Sequence, residues 1–263
     1  MTLSTRTRSL QGRIVPVLVC LLAVPAMQAR AAAAATVDEL VAKNLAARGG
    51  NDALHAMQSL RVHGRLLIND GQVELAYVQT IRRPASVRTE AAIQGMTLVQ
   101  AFDGTGGWQI NPFMGRRTPE HMSADDIKLM AEAAADFDGP LVDAALKGNK
   151  LEYLGIEDVD GTPAHKIRLT RPNGDVEYVY LDPDYYLEIR LLSQRTEHGA
   201  KVETETDLGE YMKVDGVYIP FSVESVRKGT SDRQKLLLDK AELNVASDAS
   251  VFAFPAAPAK SGK

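Results

Sequence analysis

From about residue 60 to residue 245, apolar and polar residues alternate with a period of two, and turn-forming pairs separate the alternating segments. Asn69-Asp70-Gly71, Asp160-Gly161, Asn173-Gly174 and Asp215-Gly216 are such turns, because Asn, Asp and Gly tolerate the positive φ that tight hairpins need. Strands joined by hairpins pair antiparallel with their neighbours in sequence. We therefore predict a mainly β (α+β) fold of roughly a dozen strands, and a sheet that wide must curl or close.

A few helices accompany the predicted sheet. Thr36 and Glu39 have the spacing of a capping box, so a helix should begin there and end at Gly49-Gly50. Residues 112–148 interrupt the strand pattern. Within them, Ser123 is expected to cap a second helix that runs to about residue 135. A further short helix is expected over residues 141–147.

The first 35 residues have the pattern of an export signal. Arg6, Arg8 and Arg13 precede an apolar run of 13 residues, Ile14–Ala26, and small residues follow it. This pattern predicts a cleaved signal peptide over residues 1–35 and a periplasmic location. The alternative is a membrane anchor, for which the run is short. We expect residues 36–255 to form one domain and residues 256–263 to be a disordered tail.

The charge and the cysteine content of the exported chain restrict which partners and which metal sites it can have. Without residues 1–35 it carries 26 basic and 34 acidic residues, a net charge of −8. Such an acidic chain is poorly suited to bind nucleic acid. The single cysteine, Cys20, lies in the predicted signal peptide, so neither a disulfide nor a thiolate metal site is expected in the mature protein.

No catalytic or metal-binding motif is recognisable. The five histidines do not have the spacing of metal ligands on one element, and G-x-S-x-G and GK[ST] motifs are absent from the sequence. We therefore predict no metal, no cofactor and no enzymatic activity.

Large apolar side chains are concentrated in the middle of the chain. They lie on two predicted neighbouring strands and in the insertion, and include Met96, Leu98, Phe102, Trp108, Ile110, Phe113 and Met130. Flexible and aromatic side chains suit a cavity that adapts to a hydrophobic ligand. The alternative, a filled core beneath a packed helix, agrees with these residues equally well.

Short motifs spread over residues 36–255 make the chain similar to a known family. They are Arg48-Gly49-Gly50, Arg83-Pro84, Val87-Arg88-Thr89-Glu90, Gln94-Gly95-Met96, Ala101-Phe102-Asp103-Gly104, Gly107-Trp108-Gln109-Ile110-Asn111-Pro112, Tyr180-Leu181-Asp182-Pro183 and Ile219-Pro220-Phe221. Together they resemble the outer-membrane lipoprotein-sorting family, the periplasmic LolA-like carriers.

The resemblance implies a single antiparallel sheet curled into an incomplete half-barrel, with helices as a lid and acyl chains held on the concave face. Arg48 and Arg88 are candidates for the arginine that family members place near the lid. The complete set of candidate ligand-binding residues is Tyr77, Met96, Leu98, Phe102, Trp108, Ile110, Phe113, Met130, Tyr180, Leu191 and Phe221.

Three functions are compatible with these observations. The first is a monomeric periplasmic carrier for lipoprotein acyl chains or other lipids, with membrane-bound donor or acceptor proteins as partners. The second is an envelope sensor or binding module that uses the same fold without transport. The third is an enzyme acting on a small hydrophobic molecule, which a converging polar cluster in the cavity would favour.

Overall fold

A computed structural model describes residues 35–197 and 199–256 of the chain. The predicted signal peptide, except for residue 35, and the predicted tail, except for residue 256, lie outside the described residues. The described residues form one compact unit.

Thirteen strands and three α-helices make up the described part of the chain. The helices are α1 (Val37–Ala47), α2 (Asn51–Ala56) and α3 (Ala124–Ala135). The strands are β1 (Ser59–Ile68), β2 (Val73–Arg82), β3 (Ser86–Ile93), β4 (Met96–Phe102), β5 (Gly107–Asn111), β6 (Arg116–His121), β7 (Lys150–Val159), β8 (Thr162–Thr170), β9 (Val176–Leu181), β10 (Glu188–Glu197), β11 (Ala200–Val214), β12 (Val217–Arg227) and β13 (Arg233–Leu243).

All thirteen strands belong to one antiparallel sheet in the order β6-β5-β4-β3-β2-β1-β13-β12-β11-β10-β9-β8-β7. Strands that pair in the sheet are neighbours in sequence, with one exception: β13, which follows β12, also pairs with β1. In the described residues, β6 and β7 have a partner on one side only, so the barrel is not closed. The prediction of one large antiparallel sheet in an incomplete barrel is confirmed.

A glycine allows the close approach of β1 and β13. The pairing between them shifts by one residue at His63/Gly64. A Cβ added at Gly64 would lie 2.2 Å from the carbonyl oxygen of Leu237 on β13. Any larger residue at position 64 would therefore force the two backbones apart.

One face of the sheet, called the inner face here, is turned toward the helices. Three buried clusters join helices to strands in different parts of the sheet. Leu54 of α2 packs against β1 and β12, Leu40 of α1 packs against β8 and β9, and Ala134 of α3 packs against β2, β3 and β4. Because short helices contact strands so far apart in the order, the sheet must curve around them.

Residues 122–149 connect the two edge strands and are called the lid here. Ser123 caps α3 by accepting a hydrogen bond from the Asp126 amide at 3.1 Å, as predicted. Residues 140–147 form a series of turns, so the predicted helix over 141–147 is wrong. The prediction that the sheet stops at residue 112 is also wrong, because Arg116–His121 returns as the edge strand β6.

The opposite face, called the outer face, is crossed by residues 244–256, called the C-terminal strap here. Side chains from four strands reach its carbonyl groups. The Ser59 hydroxyl donates to Val245, Arg82 to Ser247, Arg88 to Val251 and Trp108 to Phe252. The strap therefore runs from β1 toward β5 and covers the outer face of that half of the sheet.

Candidate functional site

Cross-strand pairing arranges the inner face of β1 to β5 into rows with different chemistry. The first row is apolar and lies under the lid. Its members are Leu60, Ile81, Val87, Phe102 and Gly107. Ile127, Met130 and Ala131 of α3 pack on this row, so it is a filled core.

The second row is polar and is called the amide row here. Its members are register partners on successive strands: Gln79, Thr89, Gln100, Gln109 and Glu120. All five are half-buried. The Gln79 amide donates to the Thr89 hydroxyl at 3.3 Å, and the Gln109 amide donates to Glu120 at 3.2 Å.

Beyond the amide row, the inner face is apolar again over a wide area, called the apolar groove here. One part is a row of register partners crossing five strands: Leu75, Leu66, Leu236, Val223 and Leu208. The other part lies on β2, β3 and β4: Tyr77, Ala91, Ile93, Met96 and Leu98. Most of these side chains are only half-buried. Within the described residues, only Tyr77 among the ten also packs against a helix-covered cluster.

Tyr77 joins the amide row to the apolar groove. Burial raises the pKa of Tyr77 to about 12, although its hydrogen bond with Thr89 acts in the opposite direction. The phenol is therefore neutral at ordinary pH and retains its proton for hydrogen bonding.

The eleven residues predicted to bind ligand do not lie together. Seven are on or above the inner face: Tyr77, Met96, Leu98, Phe102, Met130, Leu191 and Phe221. Of these, Phe102 and Phe221 are buried in the core that the helices cover. Tyr77, Met96 and Leu98 line the apolar groove. Phe113 lies in the turn between β5 and β6 and is 40% exposed.

Trp108 and Ile110 lie on the outer face. Gly107 pairs with Phe102 on the inner face, so the next residue, Trp108, points the other way. Its indole N–H donates to the Phe252 carbonyl at 2.9 Å, and the Arg88 guanidinium lies 5.4 Å from its ring centroid. The parity of Phe102 and Gly107 across the hairpin could have revealed this orientation from sequence. Arg88 holds the strap rather than the lid.

Tyr180 also lies on the outer face. Its hydroxyl donates to Glu157 at 3.0 Å, and it packs with Val159 and Ala164. A register shift between Glu188 and Arg190 puts Ile189 with Tyr180 on the outer face, whereas Leu191 faces inward.

Ion pairs attach the lid to both halves of the sheet. In the lid, Asp138 pairs with Arg83 at 2.5 Å and with Lys147 at 3.1 Å, and Asp136 pairs with Arg171 at 2.8 Å. Arg83 directly follows β2, and Arg171 directly follows β8. The lid is therefore fastened to strands on opposite sides of the central strands.

Arg48, at the end of α1, is buried beside the lid. Its guanidinium donates to the Glu188 carboxylate at 3.0 Å and to the Asp138 carbonyl at 3.3 Å. Burial alone would lower the pKa of Arg48, but Glu188, Tyr211 and Asp138 raise it overall. Arg48 thus stays charged and links α1, the lid and β10.

Two further features concern chemistry and membranes. In residues 35–197 and 199–256, no group of three or more His, Cys, Asp or Glu side chains is arranged to hold a metal ion. No helix in the same part of the chain is long and apolar enough to span a membrane.

An open antiparallel sheet curved around a helical lid is the architecture of the LolA-like half-barrel proteins. Among solved structures, the chain is similar to a LolA superfamily protein from Nitrosomonas europaea, with 11% identity and a TM-score of 0.56 over 84% of this chain and 98% of that chain. It is also similar to a DUF1329 family protein from Desulfovibrio piger, with 12% identity and a TM-score of 0.57 over 83% of this chain and 97% of that chain.

A third similar structure is a domain from Vibrio parahaemolyticus assigned to outer membrane lipoprotein sorting. It has 11% identity and a TM-score of 0.53 over 81% of this chain and 94% of that chain. At these identities the likeness establishes the fold, and it confirms the resemblance that the sequence motifs indicated. No family model matches the chain, and no curated protein matches it in sequence.

Proposed function

We propose that this protein is a periplasmic, monomeric binding or carrier protein for acylated hydrophobic ligands, and that the ligand lies in the apolar groove. The observation that carries the proposal is the row of five aliphatic side chains that crosses the inner face, four of which, all but Leu75, are only half-buried. An apolar surface of this extent is costly to leave in water. An acyl chain gains about 0.8 kcal/mol for each CH₂ that it buries there.

The fold supports the same function. A half-barrel provides a concave surface whose edges stay apart, so that a ligand with bulky attached groups can enter from the side. The lid, fastened by ion pairs with Arg83 and Arg171, lies over the same face. Donor and acceptor proteins in the adjoining membranes are the partners that such a carrier requires.

Binding of a fluorescent fatty acid tests the proposal. Leu98 lies in the apolar groove. An acyl chain that packs there would bury a carboxylate introduced at position 98, and burying an unpaired charge is costly. We expect Leu98→Asp to weaken binding at least tenfold. Thr97→Asp is the matched control, because Thr97 is adjacent on β4, is also half-buried and points to the outer face.

Equal affinity of both variants and the wild-type protein would contradict the placement of the ligand in the apolar groove. Native mass spectrometry of protein isolated from a periplasmic fraction provides a second test. Co-purified acyl chains are the expected result. A protein that carries no lipid and takes up none would contradict the carrier function.

A further inference from the structure

We infer that the amide row is a subsite for an uncharged, hydrogen-bonding head group, so that the ligand is a neutral amphiphile with a carbonyl next to its acyl chain. This inference rests on the proposed function, because it assigns the polar end of the ligand that the apolar groove holds. It concerns residues that were not among those predicted to bind ligand.

The polar character of this row needs an explanation. Gln79, Thr89 and Gln100 lie on the inner face between an apolar row under the lid and the apolar groove. Polar side chains in such surroundings lose stability unless they find partners. Gln79 and Thr89 bond to each other. In the described part of the chain, the Gln100 side chain has no hydrogen-bond partner within the protein, and its half-buried amide is open to water or to a ligand.

The groups in the row define the kind of partner that would satisfy them. A glutamine amide both donates and accepts, and a threonine hydroxyl does the same. An ester or amide carbonyl and a free hydroxyl are therefore bound equally well. The only ionisable member of the row, Glu120, is already bound by Arg116 at 2.7 Å and by Gln109. An anionic head group would meet no free cation in the row.

The spacing fits one molecule that spans both surfaces. Gln100 and Leu98 are two residues apart on β4, as are Thr89 and Ala91 on β3, a separation of about 7 Å. A head group on the amide row can therefore begin a chain that enters the apolar groove within a few bonds. The neutral Tyr77 phenol lies at this junction and hydrogen-bonds Thr89.

Competition between two probes tests the inference. Diphenylhexatriene, a fluorescent hydrocarbon without polar groups, reports the apolar groove, and monopalmitoylglycerol displaces it from wild-type protein. We expect Gln100→Leu to weaken monopalmitoylglycerol binding about 3- to 10-fold, the value of one lost hydrogen bond, and to leave diphenylhexatriene affinity unchanged. Palmitate anion should bind more weakly than monopalmitoylglycerol to the wild type and lose less on substitution.

Thr89→Val provides a second variant that nearly preserves side-chain shape, and Thr97→Val makes the same change on the outer face. Only Thr89→Val should weaken monopalmitoylglycerol binding. If diphenylhexatriene binds and neither Gln100→Leu nor Thr89→Val discriminates between the probes, the head-group subsite is wrong while the groove stands. If wild-type protein binds neither probe, the proposed function itself is wrong.

Discussion

At the scale of single residues, Arg48 shows how strongly one buried charge can be constrained. Its guanidinium satisfies the buried Glu188 carboxylate and two backbone carbonyls, those of Tyr218 and Asp138. Both charged side chains are almost fully buried, with 8% and 2% exposure. Removing one partner would leave the other without compensation, which is far more costly than losing a surface ion pair.

We expect Arg48→Met to lower the free energy of unfolding by about 3–5 kcal/mol in urea titrations, since Glu188 would remain buried and unpaired. The double variant Arg48→Met/Glu188→Leu should recover part of this loss, because both charges are removed together. A double variant less stable than the single variant would show that Glu188 stabilises the fold through contacts other than the ion pair, such as its hydrogen bond from the Tyr211 hydroxyl.

The candidate site was only partly predictable from residues. Period-two alternation puts Leu98 and Met96 on one face of β4. It does not say which face a large apolar residue such as Trp108 occupies, because both faces of this part of the sheet are covered. The strap that covers Trp108 comes from 144 residues further along the chain, and no local pattern announces it. The polar residues of the amide row were missed because alternating Gln and Thr look like an exposed face.

At the scale of elements, the C-terminal strap is anchored by one aromatic side chain. Phe252 is completely buried, the Arg82 guanidinium lies 5.1 Å from its ring centroid, and its carbonyl accepts the Trp108 N–H. Trp108 is the only tryptophan in the chain and is 4% exposed. Its fluorescence therefore reports the state of the strap rather than that of the apolar groove.

We expect Phe252→Ala to destabilise the protein by about 3–5 kcal/mol and to shift Trp108 emission to longer wavelength, because the cavity would admit water. Val251→Ala is the control. Val251 is 40% exposed, and its truncation should change stability by less than about 1 kcal/mol. An unshifted emission spectrum in Phe252→Ala would mean that the strap stays in place without its anchor.

Elements with local determinants were predicted well, and those that depend on distant partners were not. Thr36 and Glu39 form the predicted capping box, with hydrogen bonds of 3.0 and 3.2 Å. Asn69 and Asp70 take the positive φ that the hairpin signal requires. Edge strand β6 carries Arg116, Arg117 and Pro119, a loop-like composition that a strand tolerates only at an edge.

At the scale of the whole molecule, ligand binding should be visible in stability. A ligand that binds only the folded state at 100 times its dissociation constant adds about 2.7 kcal/mol, or about 5–10 °C in Tm for a domain of this size. We expect this shift with monopalmitoylglycerol in thermal unfolding, and a smaller shift at the same concentration in Leu98→Asp. A wild-type Tm that is independent of lipid would argue against binding.

The overall fold was largely accessible from sequence because hairpin connections leave little freedom in strand order. The thirteen strands follow one another in two meanders, β1–β6 and β7–β13. The exception to this order is the pairing of β13 with β1. Nothing in the residues of Arg233–Leu243 indicates that this strand pairs with β1, because that pairing depends on how the two meanders come together in the folded sheet.

The position of β13 means that the two halves of the sheet are held together by the last strand. It pairs with β1 on one side and with β12 on the other, and without it these two strands would be open edges of separate six-stranded sheets. During synthesis both halves are made before the piece that unites them exists. A chain cut before β13 would therefore form two separate sheets with open, aggregation-prone edges rather than one sheet.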